Sequence, residues 1–261
     1  MRLMKGALAL ALVVAPVCAA FAQDAMPGLD LTSPDMTKAE MTRGDVEGAL
    51  NAAPGGRGAD FTGKRLSGLD LSGLDFSGVN LRAARLNHAN LSHARLDGAT
   101  LDQAWALGAD LTGASLVKAS LFATQMRGAR LDGANLSGAR VTADLTGARL
   151  VGARLENANC GVDEKNQSMG LMRATFKSAD LTRANLSRAN LVSADLQFAK
   201  LSGANLAAAT LREADASGAD LRGALLEGAD TSGLDVDSAR INTASVPYLA
   251  KAIRLDRAFR E

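Results

Sequence analysis

A net excess of charge of either sign is nearly absent from this chain of 261 residues: 29 Lys and Arg stand against 28 Asp and Glu, for a formal charge of +1 at pH 7. So balanced a surface carries no electrostatic footprint for nucleic acid, and it is not acidic enough to imitate DNA by charge. Cysteine and histidine are equally scarce, with Cys18, Cys160, His88 and His93 the full set. The apolar run from Ala7 to Val17 is too short to span a bilayer comfortably, so no stable membrane insertion is expected. No nucleophile motif or zinc-helix motif occurs. Gly58-Ala59-Asp60-Phe61-Thr62-Gly63-Lys64-Arg65 comes close to a phosphate-binding loop, but Arg65 stands where Ser or Thr would hold Mg²⁺. The expectation is a protein without cofactor or metal, and not an enzyme.

The first 22 residues read as a secretory signal, with Arg2 and Lys5 ahead of the apolar run and Ala20-Phe21-Ala22 as the cleavage site. Cleavage after Ala22 predicts a periplasmic or secreted product. It removes two basic residues and no acidic one, taking the formal charge from +1 to −1. Cys160 alone would remain, so no internal disulfide can form despite the oxidising destination.

What the chain does have is a five-residue repeat between Ala59 and Tyr248, in units such as Ala109-Asp110-Leu111-Thr112-Gly113 and Ala134-Asn135-Leu136-Ser137-Gly138. Leu or Phe stands at the centre of most units, with Ala two places earlier and a polar residue between them. Alternation of this kind puts the Ala and the Leu on one side of a short extended segment. Ser or Thr followed by Gly then supplies turn chemistry, because Gly accepts positive φ and the hydroxyl bonds the local backbone. An amphipathic helix is excluded, since five residues at about 100° each rotate every unit by roughly 140° and smear the Leu positions round the cylinder. Each unit buries its apolar side only by stacking on its neighbours, so two inward residues and a corner predict one side of a stacked coil.

These residues resemble the pentapeptide-repeat family, whose A-(D/N)-L-x-x pattern covers most of the chain. The resemblance implies an all-β solenoid: a right-handed, quadrilateral β-helix with four units per coil, capped by short helices at both ends. The expected organisation is a signal peptide at 1–22, a polar lead and capping helix at 23–58, the repeat region at 59–248 and a C-terminal capping helix at 249–261.

Two irregularities interrupt the register. Ala139-Arg140-Val141-Thr142 is one residue short, and Asp163-Glu164-Lys165-Asn166-Gln167-Ser168 is one long, which predicts a tightened corner at Thr142 and a small bulging loop near Glu164. The frame would return at Met169-Gly170-Leu171. Asp163, Glu164 and Lys165 are the candidate projecting loop. The centres Ala106, Ala216 and Thr231 are small or polar, so the core should thin there.

Solenoid ends expose core and backbone edge and need covers. Thr42 and Asp45 have capping-box spacing, with Met41 and Val46 as a hydrophobic staple, which predicts a helix from Arg43 to Ala52 stopped by Pro54-Gly55-Gly56. After Pro247, apolar residues recur at helical spacing. Leu249, Ile253 and Phe259 there are either part of a cap or a homodimer contact, because some family members pair through their C-terminal ends.

A core filled by Leu and Ala leaves no cavity for a substrate, so function is expected on the outside. Trp105, Leu107 and Phe122 break the polar rule of the outward positions and form the candidate contact with an unknown protein partner. A slip of the chain around Ala106 would instead turn Trp105 or Leu107 inward. His88 and His93 fall at successive corners, not in one column, which makes a shared metal geometrically awkward. The leading expectation is an exported, non-enzymatic scaffold presenting the sides of a rigid rod. The alternative is a DNA-mimic protein that binds a type II topoisomerase such as gyrase, against which stand the signal and the near-neutral charge.

Overall fold

The computed structural model describes residues 30–53, 59–162 and 172–261. The repeats return the chain to the same place every twenty residues. Asp60 bridges to Asn80, Asn80 to Thr100 and Thr100 to Ser120, always in parallel, and three further columns start at Arg65, Asp70 and Asp75. Within a unit the central and corner amides donate to the following coil, as in Leu111 N–H to Arg130 O (2.7 Å) and Gly113 N–H to Asp132 O (2.9 Å). Ala114 N–H turns back to Leu111 O and closes the corner.

The corner residue of a regular five-residue unit is left-handed, which is why Gly recurs there: Gly138 has φ +66°, whereas the short unit at Thr142 has no left-handed residue. The central residues from Phe61 to Ile241 are buried, and the Ala two places earlier is buried in nearly every unit. The weak centres stay inside as well. Ala106 and Ala216 are each 1% exposed, and Thr231 satisfies its hydroxyl on Tyr248 O at 2.8 Å.

The expectation of an all-β solenoid, a quadrilateral β-helix, is corrected by the backbone. Among the described residues, regular strand is confined to two-residue β1 (Arg240–Ile241) and β2 (Phe259–Arg260), paired in parallel as an open two-stranded sheet. The repeats contribute single-residue bridges separated by turns. The physical reason is unit length: with a left-handed corner every five residues, only one residue per unit completes a bridge, too few for a continuous strand. The chain therefore does not form the continuous strands of a β-helical solenoid.

The C-terminal end is also not an α-helix. Thr243–Leu249 and Leu255–Arg257 are 3₁₀ turns, the first with Pro247 inside it. The residues after them extend the coil edge, with Ile253 N–H on Leu234 O (2.8 Å) and Phe259 N–H on Ala239 O (2.8 Å). Helical spacing misleads here because unpaired edge carbonyls compete for those amides.

At the N-terminal end lie α1 (Pro34–Thr37) and α2 (Arg43–Ala52). The Thr42 hydroxyl accepts from Asp45 N–H, while Thr42 N–H donates to the Asp45 carboxylate at 2.8 Å. Val46 is fully buried, and Met41, Ala49 and Leu50 pack on the core beside it.

The irregularities change the spacing of the bridges. Gln125 pairs with Asp144 and Arg140 with Asn159, nineteen residues on, as the short unit requires. Asp144 pairs with Thr175 and Asn159 with Asn190, thirty-one residues on, eleven more than the regular twenty. Cys160 and Phe176 are thus the centres of consecutive sides, and Ala174 N–H closes the corner on Cys160 O at 3.0 Å. The one-residue bulge expected here is corrected to an eleven-residue insertion. Asp163, Glu164, Lys165 and the unit Met169-Gly170-Leu171 lie outside the described residues, as do the signal segment and Pro54-Gly55-Gly56.

Candidate interaction surface

The outward amide after each centre decides how the sides are built. Where the residue before the centre is Asp or Asn, its side chain accepts that N–H locally, as Asp110 does from Thr112 (2.9 Å) and Asn185 from Ser187 (3.1 Å). In some units where that residue is something else, an acceptor comes from the preceding coil. Asp97 takes Val117 N–H at 3.0 Å, Asp102 takes Phe122 N–H at 3.2 Å, and Asp132 takes Val151 N–H at 3.0 Å.

Trp105 is the bulkiest such replacement. It cannot accept a hydrogen bond, so Leu107 N–H is satisfied by Asn87 Oδ1, one coil earlier, at 3.0 Å. Trp105 bridges Arg85 and Gln125 in its column, and Ala106 remains inward, so the chain does not slip. Trp105 and Leu107 stay on one outer side and are half-buried.

Phe122 is not part of that patch. It lies in the column of Ser120, is 8% exposed, and is covered by Arg140, whose guanidinium carbon stands 4.2 Å from the ring centroid. At the other end Leu249 is fully buried, while Ile253 and Phe259 are 44% and 59% exposed and project from the last edge. His88 and His93 sit at separate left-handed corners. Among the described residues no group of three or more His, Cys, Asp or Glu side chains is placed to hold a metal.

Sequence reasoning passed over Asn87 and Met36. Asn87, only 4% exposed, also donates Nδ2–H to Met36 O at 3.0 Å. Met36 is 4% exposed although it is not part of the coil core, and Ser67, one coil below Asn87, is likewise 4% exposed. The segment around α1 therefore covers the lower part of the side that carries Trp105. The available signal was Asn in the place after the centre, twenty residues ahead of a unit with no Asp or Asn.

Electrostatics on the outside is local pairing. Arg127 meets Asp144, Arg149 meets Asp132 at 3.0 Å, and Arg222 spans Asp220 (2.7 Å) and Glu261 (2.8 Å). The Arg222 guanidinium, hydrogen-bonded to the carboxylate, holds Asp220 well below the ordinary range.

The family described as pentapeptide repeats matches this chain in eight copies, over residues 57–87, 65–103, 107–138, 171–207, 189–228 and 204–242. That is more than half of the sequence: the chain belongs to the pentapeptide-repeat family. It is a non-catalytic member, in keeping with an interior filled by its own side chains. No curated protein matches it significantly. Among solved structures, HetL, a pentapeptide repeat protein involved in heterocyst differentiation regulation from the cyanobacterium Nostoc sp. Strain PCC 7120, is 28% identical, covering 76% of this chain and 98% of that one, with a TM-score of 0.44. Full-length QnrB1, a plasmid-mediated fluoroquinolone resistance protein, is 16% identical over 77% of this chain and 91% of that one, with a TM-score of 0.57. At that identity the likeness is one of fold. A pentapeptide repeat protein of the Arabidopsis thaliana thylakoid lumen is 24% identical over 71% and 77%, with a TM-score of 0.24. No helix among the described residues is long and apolar enough to cross a membrane.

Proposed function

We propose that this protein acts by holding a partner protein against the outer sides of its coils. The observation that carries the reading is the filled interior: Leu and Ala columns occupy it from Phe61 to Ile241, so recognition is left to the outside. Two partner classes have support. A type II topoisomerase such as gyrase is supported by the likeness in fold to QnrB1. An envelope or extracellular partner, met after export, is supported by the signal-like pattern of residues 1–22. The exposed Ile253 and Phe259 further support a homodimer through the C-terminal end.

Location and a supercoiling assay separate the two classes. An unprocessed cytoplasmic form that alters gyrase supercoiling, or its inhibition by a fluoroquinolone, at stoichiometric concentration supports the topoisomerase reading. A form beginning at Gln23 outside the cytoplasm, without effect on gyrase, supports the exported module. A turnover activity abolished by one point substitution would overturn both.

A further inference from the structure

The segment Ser33–Glu40 is joined to the side of Trp105 by a short set of contacts. The Asp35 carboxylate pairs with Arg65, Met36 O accepts from Asn87, and Glu40 N–H donates to Arg65 O at 2.9 Å. The Glu40 carboxylate lies 3.4 Å from Lys64 Nζ and 3.5 Å from Arg65 Nε. Most of these are ion pairs of half-exposed groups, individually weak and screened by salt. Met36 is the one apolar anchor, and it is seated on the outside of the coils. Beneath it lie Ser67 and Asn87, buried at a position that is usually open to solvent. Immediately above lie Leu107 and Trp105, on the same side.

We propose that Ser33–Glu40 is a displaceable strap over a peptide-docking strip made of Arg65, Ser67, Asn87, Trp105 and Leu107. The occupant that replaces it is an acidic, apolar segment of a partner protein, with a carboxylate for Arg65, a Met-sized side chain in the place of Met36 and a backbone carbonyl for Asn87. The inference deepens the partner-binding reading and rests on it for the partner. The strap itself is testable without one. Because strap and strip are in one chain, the strap holds the strip at high effective concentration, and a free peptide competes only when the strap is weakened.

Two variants of the full chain separate docking from folding. Asn87→Asp keeps the acceptor for Leu107 N–H and removes the donor to Met36 O. Asp35→Ala with Met36→Ala weakens the strap and leaves the strip intact. In hydrogen exchange, the Glu40 amide should exchange by local opening about 100-fold or more faster than the coil amide of Leu66, and Asn87→Asp should speed Glu40 about tenfold further without moving Leu66. A labelled peptide with the sequence of residues 33–40 should bind the Asp35→Ala, Met36→Ala protein at least about tenfold more tightly than the unaltered chain. Adding Asn87→Asp should abolish that binding. If Glu40 is protected as fully as Leu66, the segment is a fixed part of the fold and the proposal fails. If Glu40 opens but the peptide binds neither form, or both equally, the strip is not a docking site and the proposal fails on that ground.

Discussion

The His93 ring lies against Gly113, one coil on: a Cβ at Gly113 would stand 2.7 Å from His93 Nδ1. The same relation joins His88 to Gly108 and Phe198 to Gly218. A large left-handed corner residue leans towards the C-terminal end, and the following Gly makes room for it.

Gly113→Ala should therefore cost more than Gly133→Ala. Both positions have positive φ, +66° and +65°, but a Cβ at Gly133 meets nothing within 4 Å. The conformational penalty of about 1–2 kcal/mol is common to both, and the His93 contact adds about 1 kcal/mol at Gly113. Denaturant unfolding of the two variants and of the His93→Ala, Gly113→Ala double variant checks this. The double variant should recover the excess.

The register is tested by Leu136→Ala, which removes a fully buried centre and should cost about 2–5 kcal/mol. Asp132→Ala removes the acceptor of the half-exposed Val151 N–H, which can turn to water, and should cost about 1 kcal/mol. Equal losses in a denaturant titration would contradict the inward assignment.

Cys160 should be inert in the folded state. Burial pushes its thiol up to about 12, so little thiolate forms at neutral pH. Its labelling by a thiol reagent at pH 8 should follow global unfolding. Because the folded value is the higher one, the associated stability is fully present below the unfolded value of about 8.5 and is lost as pH rises towards the folded value.

Acid should loosen the sides. Hydrogen bonds from Thr62, Ser72 and Ser77 hold Asp60, Asp70 and Asp75 below the ordinary carboxylate range. A lowered folded value means that the associated stability is present above the unfolded value of about 3.9 and is lost as pH falls through the folded value. The thermal midpoint should fall over that window, and less steeply in an Asp60→Asn, Asp70→Asn, Asp75→Asn variant.

The inward places were legible in the sequence because Ala and Leu recur with a period that leaves them one common side. The capping box was legible because Thr42 and Asp45 are three apart beside an apolar face. The strand content was not, since periodicity says which way Leu111 points but not that its neighbours pair through single residues. The C-terminal end was misread because the spacing of Leu249, Ile253 and Phe259 suits a helix, whereas the free edge at Leu234, Ala239 and Ile241 captures the backbone. At the candidate site, Trp105 and Leu107 could be found as apolar residues in polar places. Met36 could not, because its burial depends on a segment that carries no repeat. Phe122 looked available until Arg140, in the next coil, was placed over its ring.

The central claim, action by binding on an outer side, is tested most directly by photo-crosslinking in the native host. A photoreactive residue at Leu107 should give an adduct of one discrete mass that is absent when the residue is placed at Arg95, in another column. No adduct from Leu107 or from any other outer position would contradict the account.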